Sequence, residues 1–211
     1  KTDDRLRQLR PYVRPDRRER FPFINERTAL LVIDMQGYFL DPSSHASFPE
    51  AEEIMDNVIS LVDSFRASHR PIVFTRHAVR SDEEPGIMGD WWGDVPAEEG
   101  PLSQIDGRLH PGEEALIVRK TRYSAFIGTE LESILREQSA DQVVITGVMT
   151  HLCCESTARD AFMRDLEVFF VIDATATDQE DLHMGSLRAL ADGFAIMVTT
   201  REVLGWMKGR Q

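Results

Sequence analysis

The chain is short of cysteine, of long apolar runs and of net positive charge, and each shortage excludes a class of protein. Its 211 residues include two cysteines, the neighbours Cys153 and Cys154, so a disulfide framework is excluded and a reducing compartment is expected. No apolar run approaches the roughly 20 residues that span a bilayer, and the N-terminus lacks a signal-peptide pattern. We therefore expect a soluble cytoplasmic protein that does not bind membranes.

The net charge of -12 argues against a nucleic-acid partner, because phosphates would be repelled. The N-terminus departs from this trend, since its first 20 residues contain eight basic and four acidic side chains. We predict a basic arm over residues 1–26 and a single domain over residues 27–211. The arm is either solvated or loosely docked on the domain, or it embraces an acidic partner subunit.

Short apolar, β-branched runs alternate with segments of helical periodicity, and 42% of the residues are hydrophobic, enough for a full core. This pattern predicts a parallel sheet covered by helices on both faces, a three-layer α/β/α fold. The predicted strands are Ala29–Met35, Pro71–Thr75, Ala115–Val118, Gln142–Thr146, Val168–Ile172 and Ala195–Val198. The predicted helices are Glu50–His69, Thr129–Gln138, Cys153–Arg164, Glu180–Asp192 and Arg201–Lys208.

Chemically useful side chains follow three of these strands. Asp34 closes the first strand, Lys120 follows the third, and the segment Gly147–Cys153 follows the fourth. Because ligands of such sheets bind at the carboxyl ends of the strands, we expect these groups to share one site. The long irregular stretch His77–Gly112 is typical of a functional lid or binding loop.

Cys153 is the candidate nucleophile. Gly147 permits a sharp turn after the strand, and Thr150 is placed to cap the next helix with its hydroxyl. Cys153 then falls in the first helical turn, where free N–H groups are expected to lower the thiol pKa and to hold an oxyanion. The alternative is a small buried hydrophobe, which is the role predicted for Cys154.

Asp34 and Lys120 are the candidate partners of Cys153. A carboxylate at the rim of a buried strand can take the thiol proton and return it to a leaving amine. A nearby cation can pair with that carboxylate and stabilise a thiolate. The alternatives are a capping or salt-bridging acid for Asp34 and an ordinary surface lysine for Lys120.

Three segments together resemble the isochorismatase-like hydrolase superfamily over Arg27–Leu204: LLVIDMQGYF, VRKTRYSAF and GVMTHLCCESTARDA. The resemblance implies a Rossmann-like fold with a six-stranded parallel sheet, a catalytic triad of Asp34, Lys120 and Cys153, and a homodimer or homotetramer. It also implies a cis peptide bond between Val148 and Met149. That bond would help to aim the N–H groups from Met149 through Thr150 to Cys153 at an oxyanion.

The sequence resembles two branches of the superfamily, and these act on different substrates. The segments KTRYSAF and WWG are similar to those of isochorismatases, which hydrolyse a vinyl ether without a cysteine nucleophile. Cys153 favours the cysteine hydrolases, which cleave C–N bonds. His77 stands alone where nicotinamidases carry a metal site, so we expect no metal and no cofactor. A third possibility is a non-catalytic homologue that binds a ligand or forms oligomers.

Aromatic and imidazole side chains are the candidates for the wall of a small-molecule pocket, because they combine apolar faces with one polar group. The predicted wall residues are Tyr38, His77, Trp92, Tyr123 and Phe126. Trp92 and Phe126 have the alternative of packing in the core or in a subunit interface. We assign His151 to the rim at the start of a helix and His183 to the surface of a helix.

Overall fold

All six predicted strands are present in the computed structural model of the protein, which describes residues 1–112 and 115–209. Residues 113, 114, 210 and 211 of the predicted domain lie outside this description. The strands are β1 (Thr28–Ile33), β2 (Ile72–His77), β3 (Leu116–Lys120), β4 (Gln142–Val148), β5 (Glu167–Ala176) and β6 (Ile196–Val198).

The sheet has the order β3-β2-β1-β4-β5-β6, and every neighbouring pair is parallel. The strands β2 and β3 are therefore added on one side of β1, and β4, β5 and β6 are added on its other side. A crevice opens at the carboxyl ends of the strands where the winding reverses, which here is between β1 and β4. This confirms the predicted α/β fold class and places the ends of β1 and β4 side by side.

Alternate residues of the buried strands pack into two cores, one on each face of the sheet. Leu31 and Ile33 of β1 face one core, whereas Leu30 and Val32 face the other. All four are fully buried, as expected for a parallel strand covered on both sides. The helices that complete the three layers are α1 (Thr2–Leu9), α2 (Pro15–Arg20), α3 (Gly37–Leu40), α4 (Pro49–Glu53), α5 (Met55–Ala67), α6 (Ile87–Trp92), α7 (Leu131–Glu137), α8 (Glu155–Phe162), α9 (Glu180–Gly193) and α10 (Thr200–Met207).

Two predicted segments differ from the structure in detail. The single helix expected over Glu50–His69 is two helices, because the chain breaks at Ile54 between α4 and α5. The stretch expected to be irregular from His77 begins one residue later, since His77 is the last residue of β2. That stretch also contains α6, which carries Trp91 and Trp92.

The basic arm is docked on its own chain. Arg5 of α1 donates to both carboxylate oxygens of Glu180 at the start of α9, at 2.9 and 2.7 Å. Arg18 of α2 pairs with Glu202 of α10 at 2.6 Å, and Leu9 is buried in the core. Arg5 and Arg18 of the arm therefore neutralise acidic side chains of the same subunit.

Across residues 1–112 and 115–209, no helix combines the length and the apolar character needed to cross a membrane.

Candidate active site

Asp34 directly follows β1 and is completely buried. Its backbone has φ of 50°, in the left-handed region that non-glycine residues seldom adopt and that is enriched at functional sites. Thr75 of β2 fixes the side chain, because its hydroxyl donates to Asp34 Oδ1 at 2.6 Å and accepts from the Asp34 amide at 3.1 Å. The carboxylate is thus held in one orientation at the β1 end of the crevice.

Lys120 is the last residue of β3, which ends two residues beyond the predicted end at Val118, and its side chain is fully buried. Its ammonium lies 2.7 Å from Asp34 Oδ2, 3.2 Å from Cys153 Sγ and 3.1 Å from the Arg122 carbonyl oxygen. Burial opposes the charge, but attraction to Asp34 and Cys153 raises the pKa of Lys120 above its usual range. The ammonium is therefore charged and connects the acid to the sulfur.

Gly147 brings β4 against β1 next to Asp34. It pairs with Ile33 and has φ of 112°. A Cβ atom at this position would lie 2.8 Å from the Ile33 carbonyl carbon and backbone nitrogen, and closer still to the carbonyl oxygen. Only glycine allows this approach, which sets the distance between the two strand ends that carry Asp34 and the cysteine segment.

Cys153 lies in a single π-helical turn, Thr150–Cys154, between β4 and α8. The peptide bond between Val148 and Met149 is cis, at the position that the resemblance implied. The Met149 carbonyl accepts from the amides of Leu152 and Cys154, at 3.1 and 3.2 Å. The expected first turn of an α-helix is thus replaced by a wider turn, and α8 begins only at Glu155.

The thiol of Cys153 has the opposite pKa shift from the one predicted. Burial raises its pKa, Lys120 acts against this effect, and Asp34 adds to it through its charge and a hydrogen bond, giving a value of about 12. The effect of burial on the thiol pKa exceeds the lowering expected from the positive end of a helix, because the sulfur is almost completely removed from water. The resting nucleophile is therefore a thiol. Cys154 is fully buried in the core, as predicted.

A cavity of about 390 Å³ opens in front of Cys153. Four of the five predicted wall residues line it: Tyr38, His77, Trp92 and Tyr123. Trp92 donates its indole N–H to the Tyr123 hydroxyl at 2.8 Å, so the phenolic hydrogen of Tyr123 is free to point elsewhere. Asp34 and Lys120 lie behind the sulfur, and Cys153 is the member of the predicted triad that lines the cavity.

Phe126 is not part of the cavity wall, which corrects the prediction. Its ring is buried in the core that includes Leu131 and Ala158, and the Arg164 guanidinium lies over it at 4.8 Å. The segment that carries Tyr123 into the cavity turns inward after Ser124, whose hydroxyl binds Asp160 at 2.6 Å. Phe126 therefore packs in the core, which was the alternative role predicted for it.

Thr150 and His183 also differ from their predicted roles. Thr150 does not cap a helix; its hydroxyl lies 2.9 Å from Nδ1 of His183, which is only 1% exposed rather than on a helix surface. Burial lowers the pKa of His183 to about 4, so its imidazole is neutral. The pair holds the first residue of the π turn against α9.

Four backbone amides of the π turn, three of them in the segment Met149–Cys153 that was expected to bind an oxyanion, divide into two groups. Those of Leu152 and Cys154 are occupied by the Met149 carbonyl. Those of Thr150 and His151 donate to no group in the part of the chain that the structure describes. These free amides lie on the same turn as the sulfur, and His151 also lines the cavity.

Thr75, His45 and Asp94 lie at the site but were not predicted from the sequence. Thr75 orients Asp34. Its hydroxyl lies at the end of the second predicted strand, and a buried polar group there could have been recognised from the sequence as a partner for Asp34. His45 Nε2 lies 3.1 Å from Asp94 Oδ2 and 3.3 Å from the Tyr38 hydroxyl at the cavity edge. Nothing in the local sequence joins these loop residues, which are 49 positions apart.

Within the described ranges, no group of three His, Cys, Asp or Glu side chains is arranged to hold a metal ion. His77 lies in the cavity wall, and neither ring nitrogen has a protein partner among those residues.

Comparison with known proteins identifies the family. Residues 28–202 match the model of the isochorismatase domain, which is more than half of the chain. The chain belongs to the isochorismatase family. It is 41% identical over 175 residues to Nicotinamidase 3 of Arabidopsis thaliana, covering 81% of this chain and 83% of the plant protein. It is 35% identical over 191 residues to enterobactin synthase component B of Escherichia coli, covering 90% of this chain and 67% of that protein.

Solved structures of hydrolases have the same fold as this chain. A cysteine hydrolase from Pseudomonas syringae pv. phaseolicola superposes with a TM-score of 0.87 at 29% identity, covering 95% of this chain and 99% of that one. N-carbamoylsarcosine amidase of Thermoplasma acidophilum gives 0.73 at 25% identity, with 82% and 96% covered. The protein is therefore a hydrolase of this family that acts on a small molecule.

Proposed function

We propose that this hydrolase cleaves a C–N bond of a small amide, ureido or carbamoyl compound through a thioester on Cys153. The observation that carries the proposal is the position of the Lys120 ammonium, 3.2 Å from Cys153 Sγ and 2.7 Å from Asp34 Oδ2, behind a cavity. A buried thiol in contact with a cation and beside a carboxylate has the groups that can activate a nucleophile for acyl transfer.

The reaction begins with transfer of the Cys153 proton to Asp34 as the sulfur attacks the carbonyl carbon. Because burial raises the pKa of the resting thiol, thiolate formation and attack are coupled rather than sequential. Lys120 stabilises the negative charge that moves from Asp34 to sulfur. The oxyanion forms near the free amides of Thr150 and His151.

Collapse of the tetrahedral intermediate breaks the C–N bond, and the amine leaves with the proton held by Asp34. A thioester on Cys153 remains. Asp34 then removes a proton from water, the hydroxide attacks the thioester, and the carboxylic or carbamic acid is released while the proton returns to the sulfur. Each half-reaction thus uses the same acid and the same cation.

The alternative substrate is isochorismate, because relatives of the chain include isochorismatases and enterobactin synthase component B. Isochorismate carries two carboxylates. The residues that line the cavity include two acids, Asp94 and Asp178, and no arginine or lysine among the described residues. An anionic substrate would therefore lack a cationic partner at the wall, whereas a neutral amide would not require one.

A screen for ammonia release from small amides, ureas and carbamoyl compounds, with isochorismate assayed beside them, tests the proposal. We expect turnover of an amide-type compound, loss of at least about 10³-fold in kcat for Cys153→Ala, and an acyl adduct on Cys153 after rapid quenching. Cys154→Ala is the matched control, and it should retain kcat because its sulfur is in the core. Pyruvate release from isochorismate by Cys153→Ala would overturn the proposal.

A further inference from the structure

His151 is the second residue of the π turn, and its ring lies between the cavity and the end of β5. Its Nδ1 atom is 2.9 Å from the hydroxyl of Thr177, the residue directly after β5. Thr177 in turn donates to Asp178 Oδ1 at 3.1 Å. Three polar side chains therefore form one chain of hydrogen bonds that ends at the cavity.

The direction of these bonds is fixed by their chemistry. A carboxylate can only accept, so the single hydroxyl hydrogen of Thr177 points to Asp178. The Thr177 oxygen is then an acceptor for His151, and Nδ1 must carry the proton. In a neutral imidazole the other nitrogen, Nε2, is left with a lone pair.

Nε2 has no partner in the described part of the chain and is not buried away from solvent. Because Nδ1 is turned to Thr177 and His151 lines the cavity together with Cys153, Nε2 is the ring nitrogen available to a molecule bound there. Burial also lowers the pKa of His151, against the opposing effects of Asp178 and Glu155, which keeps the imidazole neutral.

We propose that His151 Nε2 is a fixed hydrogen-bond acceptor for the substrate, held by Thr177 and Asp178, so that the enzyme selects compounds with an N–H group on the acyl side of the scissile bond, the side that stays attached to the carbonyl. This inference rests on the proposed function and narrows its substrate class to ureido, carbamoyl and similar compounds. Thr177 and Asp178 are positioning residues, since they act through the tautomer of His151.

Two isosteric probes test the selection. p-Nitrophenyl carbamate has an NH₂ group where p-nitrophenyl acetate has CH₃, and both acylate a thiol with release of p-nitrophenolate. For His151→Phe we expect the ratio of kcat/KM values, carbamate over acetate, to fall about tenfold, because the acetate has no N–H group from which Nε2 could accept a hydrogen bond. His151→Gln should restore most of the ratio, because its amide oxygen reaches the Nε2 position. Thr177→Val and Asp178→Asn should lower it partly.

Nitrogen-15 NMR of the histidine ring provides a measurement that does not require turnover. We expect the Nδ1–H tautomer of His151 in the wild type and loss of its dominance in Thr177→Val. An Nε2–H tautomer, or an unchanged carbamate-to-acetate ratio in His151→Phe, would overturn the inference. The proposed function fails separately, if hydrolysis of both probes persists in Cys153→Ala.

Discussion

At the scale of single residues, Asp34 has two opposing effects on Cys153. It accepts the thiol proton during the proposed reaction, yet its charge and hydrogen bond help to raise the pKa of the resting thiol. The Lys120 ammonium lies 3.2 Å from the sulfur and favours the thiolate. Replacing Asp34 by a neutral residue should therefore raise the reactivity of the Cys153 sulfur while it lowers the rate of catalysis.

We predict that Asp34→Asn loses at least about 10²-fold in kcat, because the general base is removed, but that its Cys153 reacts faster with iodoacetamide. The rate at pH 7.5 should rise roughly tenfold, since removal of the adjacent negative charge lowers the pKa of the Cys153 thiol and increases the thiolate fraction. The adduct is located by peptide mass spectrometry. An alkylation rate equal to that of the wild type, or lower, would show that Asp34 does not hold the thiol protonated.

At the scale of elements, the arm is bound to α9 by the bidentate salt bridge between Arg5 and Glu180. The Arg5 side chain is only 10% exposed, whereas Glu180 is half exposed, so the pair is partly screened by solvent. We predict that Arg5→Met lowers the free energy of unfolding by about 1 kcal/mol, and that Glu180→Gln added to it costs little more. Urea unfolding of the two single variants and the double variant measures this coupling.

The same experiment distinguishes the two sequence-based predictions for the arm. A contact within one subunit gives an Arg5→Met effect that is independent of protein concentration. If the arm also bridged the predicted homodimer or homotetramer, the loss would shrink at high concentration, where association favours the folded form. Sedimentation at matched concentrations serves as the control for the assembly state.

Elements proved more predictable from the sequence than the contacts between loops. The runs ALLVID and QVVIT identify β1 and β4 because a strand buried on both faces needs continuous apolar residues. Asp34, Lys120 and Cys153 were found because they follow such strands. Phe126 and His183 were misplaced since their environments depend on side chains distant in sequence, Arg164 and Thr150 among them. The sign of the Cys153 pKa shift depends on burial, which no local pattern reports.

At the scale of the whole molecule, two histidines buried in different parts of the fold link its stability to pH. His77 in the cavity wall and His183 behind the π turn both have their pKa lowered to about 4, mainly by burial. In the unfolded chain both titrate near 6.5. Between these values the unfolded state binds protons that the native state does not, so stability is fully present above about pH 6.5 and is lost as the pH falls toward 4.

We predict that lowering the pH from 7 to 5 costs roughly 2 kcal/mol of unfolding free energy for each of these histidines. Urea unfolding at the two pH values measures the total loss, to which carboxylates also contribute. In the double variant His77→Gln, His183→Asn the loss should be smaller by about 4 kcal/mol, whatever its stability at pH 7. His69→Asn, at an exposed position, is the matched control and should leave the loss unchanged. An equal loss in the double variant and the wild type would mean that these imidazoles become protonated in the native state without cost, and the cavity wall would then be cationic at pH 5.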